Sequence, residues 1–167
     1  MPHEIQIVVN LSLEEVGAPM SSEWAAELAR EIRAKRELTR LSQEAIVSDQ
    51  KKVERNAAPK WKKICNLVKQ LATDLNEEMS EQVVTIEMAS ANNELVVKMA
   101  DSPRMASSLQ FNPHDSSLRV SFHGGDLVLA VNSRDELVWK SNITNDVWDD
   151  EGVAQKSIEY AWRRSNK

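Results

Sequence analysis

Cysteine is all but missing from this chain: Cys65 is the only one in 167 residues. No internal disulfide can form, which fits a reducing compartment, and the cytoplasm is expected. Glycine is scarce, with four residues, and proline little commoner, with five. There are two phenylalanines and one tyrosine against five tryptophans. No run of ~18 apolar residues exists, so no membrane span is expected. The beginning, "MPHEIQIVVNLSLEE", has no basic region, no apolar core and no small-residue cleavage site, and a secretory signal is not expected. Spacings such as H-x-x-x-H, H-E-x-x-H or C-x-x-C are absent, so neither a metal nor a cofactor is expected. The only glycine pair, "HGGD", lies between two strand-like runs, where it reads as a hairpin turn and not as a phosphate loop.

What is present is an uneven charge distribution. The net charge is −5, yet residues 30–69 hold 12 Lys and Arg against 5 Asp and Glu. Residues 1–29 carry five acids and no base, and residues 70–80 carry three acids and no base. A single basic segment thus sits inside an acidic chain, a pattern that speaks of partners more than of fold.

Residues 4–11, "EIQIVVNL", read as a short strand. From Ser22 to Met79 there is no glycine and one proline, and helix formers dominate. The first part has a thin, gapped apolar stripe: Trp24, Leu28, Ile32, Leu38, Leu41 and Ile46. The second has a regular one: Trp61, Ile64, Val68, Leu71 and Leu75, with Cys65 and Ala72 beside it. Proline inside a helix removes a hydrogen bond and pushes the preceding residue out of helical geometry. Two helices are therefore expected, broken near Pro59, with "KKVERNAAPKWKKICN" as their joint. Trp61 should be buried there and the lysines should face water.

Beyond residue 82 the apolar period changes from 3.6 to 2. "QVVTIEM", "ELVVKMA", "MASSLQF", "SLRVSFH", "DLVLAVN" and "ELVWK" alternate inward and outward positions and are separated by turn signals. Six antiparallel strands in a meander follow, with one face buried. The chain ends in an amphipathic helix with Asp149, Asp150 and Glu151 at its start and Arg163 and Arg164 at its end. The expected fold class is α+β: a long N-terminal helical arm, a six-stranded antiparallel meander and a C-terminal helix. The expected organisation is a strand or loop segment over 1–21, a projecting helical arm over 22–57 and a compact domain over 58–167.

No catalytic motif emerges. Cys65 lies in the apolar stripe of the second helix, which suits a buried structural thiol, and His114 and His123 fall at turns. The function read from the sequence is a non-catalytic protein-interaction or scaffold module. It would form a homo-oligomer, a dimer first of all, through the helical arm, with an unidentified protein as further partner. Trp24, Leu28 and Ile32 are candidate interface residues, and so are Val128, Ala130 and Val138, which make the outer face of the fifth and sixth strands apolar. A second reading is nucleic-acid binding, with Lys51, Lys52, Arg55, Lys60, Lys62, Lys63 and Lys69 neutralising phosphates. A third is an apolar small molecule held between the sheet and the helix over 59–79.

Overall fold

The computed structural model describes residues 22–166, with the side chains of residues 103–105 left aside. The strand expected over 4–11 and the inward position expected of Met105 lie outside that description. The chain divides into two units, Met1–Glu44 and Ala45–Lys167. In the first, the described residues belong to helix α1 (Ser22–Met79), and almost all of them are exposed.

The second unit contains the rest of α1, a seven-stranded sheet and helix α2 (Asp150–Ser165). The strands are β1 (Val84–Ala89), β2 (Glu94–Met99), β3 (Ser102–Asn112), β4 (Ser117–Val120), β5 (Asp126–Val131), β6 (Leu137–Ser141) and β7 (Val147–Trp148). They pair in sequence order, antiparallel throughout. All six expected strands are present. The seventh has two residues, with Trp148 opposite Trp139 and Val147 opposite Lys140. A strand that short has no room for an alternating pattern.

Register brings the inward positions into line. Val97 lies between Ile86 and Ser107, Leu109 between Leu95 and Val120, and Leu129 opposite Trp139. Against this face α1 buries Ala57, Trp61, Ile64, Cys65, Val68 and Ala72. Helix α2 adds Val153, Ala154, Ile158 and Ala161. Small residues at Ala154, Ser157 and Ala161 let α2 lie close to β3 and β2. Each fully buried Leu, Val or Ile side chain contributes ~1.5–3 kcal/mol relative to its exposed state, so this layer is the main source of stability. Asn76 closes the end of α1. Its Oδ1 accepts from the backbone N–H groups of Val83 and Val84, and its Nδ2 donates to the Val84 carbonyl. One amide thereby joins the last turns of the helix to the first strand.

The expected break at Pro59 does not occur: α1 is one helix with the proline inside it. Pro59 and Arg55, whose carbonyl loses its N–H partner, both belong to the exposed side, where water can take the bond. Ala57 and Trp61 are buried on either side of the proline. Packing of one continuous face thus offsets the lost hydrogen bond, and Trp61 is buried as anticipated.

Scarce glycine leaves a mark on the turns. Ser80, Ser90, Ala91, Asn92, Ser116 and Asp135 have positive φ, and none of the described glycines does. Ser90, Ala91 and Asn92 form the β1–β2 turn with φ of 50°, 53° and 71°. Left-handed geometry disfavours side chains with a Cβ, asparagine least. The Asn92 carbonyl in this turn accepts the indole N–H of Trp61 at 2.8 Å.

Replacing Pro59 by alanine restores a helix donor without touching the core. Pro59→Ala is expected to raise the unfolding free energy by ~1–3 kcal/mol in urea denaturation. An unchanged midpoint would mean that the helix does not carry the defect.

Candidate functional site

The basic segment enters the structure on a helix whose opposite face is core. Long side chains flanking an apolar stripe either reach water or find partners across it. Here three of the seven candidate cations find partners within the second unit. Lys52 reaches the β5–β6 turn, with Nζ 2.7 Å from the Asp135 carboxylate. Lys60 and Lys63 both reach Asp150, at 2.9 and 3.2 Å. Lys51, Arg55, Lys62 and Lys69 are exposed. Lys60 departs from the expectation of solvent-facing lysines, because its side chain is only 20% exposed.

Asp150 is the polar centre of the unit. It is 3% exposed and occupies the first residue of α2. One carboxylate oxygen takes the two lysines, and the other accepts the indole N–H of Trp139 at 3.0 Å. Trp139 is wholly buried. Asp149 caps the same helix end by accepting from the Gly152 N–H at 2.6 Å. The acidic start of α2 was legible as a helix signal, whereas its second use, as the counter-charge for the basic segment, joins residues 90 positions apart.

Trp61 stacks on Phe111 with centroids 5.7 Å apart and planes at 13°. Its ring is therefore engaged within the unit. Between sheet and helix, where the third reading puts an apolar small molecule, Ile64, Val68, Leu95, Leu109 and Leu127 are fully buried side chains. Cys65 belongs to the same layer, and burial pushes its thiol up to about 11, with Lys69 pulling partly the other way. A thiol held protonated in this way is a poor nucleophile.

Val128 is at the edge of exposure, and Ala130 and Val138 are half-buried and directly opposite each other in register. Trp24, Leu28 and Ile32 lie on the first unit's helix and are 50%, 38% and 43% exposed.

One arrangement escaped the sequence reading. His123 Nε2 and Ser141 Oγ are 2.7 Å apart, the reach of a serine–histidine pair. Yet Ser141 is buried, and its Oγ accepts from the N–H groups of Ile143 and Thr144 at 3.2 and 2.9 Å. With two N–H groups donating to its oxygen, the hydroxyl has its proton left to direct at Nε2, and the serine is tied into the turn by all three contacts. The contact holds the β6–β7 turn. It borders a cleft of about 570 Å³ lined by Ser108, Arg119, Gly125, Asp126 and Asn142. A Cβ on Gly125 would stand 2.5 Å from Asn142 Oδ1, so the glycine permits close approach of two turns. The Arg119–Asp126 ion pair, at 3.0 Å, lines both this cleft and a neighbouring one of about 360 Å³.

Among the described residues, no group of three or more His, Cys, Asp or Glu could hold a metal ion, and no helix is long and apolar enough to cross a membrane. Comparison with protein families, curated proteins and solved structures gives no significant match.

Two outcomes are expected from this geometry. Asp150→Ala should lower stability by ~3 kcal/mol in urea denaturation, because it strands the buried Trp139 N–H and the part-buried Lys60; Asp150→Asn, which can still accept from Trp139, should lose about half as much. Equal losses would remove the indole bond from the account. For Cys65 the folded thiol titrates at about 11 against an ordinary 9.0. The native state therefore holds its proton longer, and stability should fall by ~1–3 kcal/mol as pH rises from 9 to 11. Cys65→Ala should abolish this component of the pH dependence.

Proposed function

We propose that this protein is a non-catalytic interaction module that self-associates, as a dimer, through the helical segment 22–44. One observation carries the reading. Trp24, Leu28, Ile32, Leu38 and Leu41 are all more than one-third exposed within one helical segment. Trp24, Leu28 and Ile32 follow one another at four-residue steps and so share a face. A helix within a protein draws most of its stability from packing an apolar face, and a row of large, partly exposed apolar side chains is the usual mark of an interface. A second copy offers the same row, and parallel or antiparallel helix pairing would cover both. Trp24 is the natural anchor, since tryptophan is enriched among residues that dominate binding energy. The chemistry of the single reduced thiol favours a cytoplasmic setting.

The reading is tested by solution mass. Light scattering at ~100 μM should give twice the chain mass, and the double variant Leu28→Asp, Ile32→Asp should give the single mass with unchanged near-ultraviolet circular dichroism. A monomer throughout that range overturns it.

A further inference from the structure

A second surface, within the unit Ala45–Lys167, has the features of a docking groove. The C-terminal turns of α1 present Leu71, Asp74, Leu75 and Glu78, and α2 presents Gln155, Ile158, Glu159 and Trp162. On each helix these positions are spaced i, i+3, i+4, i+7, so they form one edge. Between the edges runs a groove of about 490 Å³. It shares Leu75 and Trp162 with a further hollow of about 220 Å³ that reaches Met79, Val83 and Met99. Trp162 is 55% exposed and Met79 is 52% exposed. The floor is apolar and the rim is acidic.

The rim charges are poorly placed for the helix that carries them. The last turn of α1 contains no basic residue, and Glu77 and Glu78 lie near the negative end of its dipole. Asp74 and Glu78 are four residues apart, where like charges repel. Neither makes an ion pair among the described residues, whereas Glu159 on the other edge is paired with Lys156 and Arg163. Asp101 and Glu81 add to the acidic border at the second hollow. An exposed tryptophan and methionine beside uncompensated acids at a helix C-terminus make a surface that a cationic, apolar-faced partner would complete.

We propose that this groove binds a basic amphipathic helix from a partner protein. Its apolar residues would seat against Leu71, Leu75, Ile158 and Trp162, and its Lys or Arg residues would lie over Asp74 and Glu78. The acid rim repels nucleic acid and anionic lipid, which narrows the occupant to a cationic peptide. This goes beyond self-association through 22–44, which uses a different surface.

The test is calorimetric titration of the full chain with a synthetic helical peptide of leucine and lysine, its leucines recurring at i, i+3, i+4 and i+7. The control peptide carries glutamate in place of each lysine. The lysine peptide should bind in the micromolar range, and the glutamate peptide should not bind at ~100 μM. Asp74→Lys with Glu78→Lys should weaken the lysine peptide at least about tenfold, and so should Trp162→Ala, which removes an exposed side chain without opening the core. The proposal is overturned if both peptides bind alike, if the charge reversal leaves affinity unchanged, or if no binding is seen. It is also overturned if the charge-reversed chain loses its dimer in light scattering, since a second copy would then be the occupant. Failure of the 22–44 dimer leaves all of the peptide outcomes readable.

Discussion

Among the described residues Asp150 is the one charged side chain that is buried, and it ties the second unit together. A carboxylate this deeply buried is tolerable only with partners on both oxygens. It has them: Lys60 and Lys63 from α1, and the Trp139 indole from β6. Since Asp150 is also the first residue of α2, a single side chain connects both helices and the sheet. A one-turn slide of α1 would unseat Trp61, Ile64 and Val68 from the core and separate Asp150 from Lys60. The lysine–carboxylate–indole contact adds a directional constraint to that packing, since each of its groups needs its partner in place. Lys52, about two turns earlier on α1, meets Asp135 in the β5–β6 turn.

Several local irregularities become intelligible around this packing. Pro59 is carried on the exposed side of α1 because Ala57 and Trp61 must both reach the core. Three consecutive left-handed residues are maintained at Ser90–Asn92 where the Asn92 carbonyl receives the Trp61 N–H. Ser141 is buried where its Oγ accepts from two N–H groups of the turn that leads into β7. Each is a local cost borne where long-range packing defines the geometry. The acids at the end of α1 differ in kind. Asp74 and Glu78 have no compensating contact among the described residues, so the conflict there is what a binding surface would leave open.

Much of the architecture was legible before any coordinate. The change of apolar period near residue 82 separated helix from sheet, and turn residues placed all six longer strands within a few positions. The inward positions Leu95, Val97, Met99, Leu118, Val120, Leu127 and Leu129 are buried, whereas Val131 is only half-buried. Helix α2 was marked at both ends by charge. What could not be read was the two-residue β7, and the persistence of α1 through Pro59. A propensity rule sees the missing N–H but not the buried face that spans it. Nor could the partners of the lysines be read, because nothing local distinguishes a lysine that will meet Asp150 from one that will meet water.

By itself, then, the order of residues determined the class of the fold, the antiparallel meander, the buried stripe of α1 and the location of the single thiol within it. These follow from periodicity, turn chemistry and helix-end charge, all of which act over a few residues. Only tertiary structure decided that Lys52, Lys60 and Lys63 are internal counter-charges, that His123 and Ser141 meet, and that Leu71, Leu75, Ile158 and Trp162 share a groove under Asp74 and Glu78. His123 and Ser141 are 18 positions apart and Lys60 and Asp150 are 90, and the two helices of the groove lie at either end of the sheet's sequence. These juxtapositions depend on how the helices lie across the sheet, and that placement is set by packing the whole layer at once.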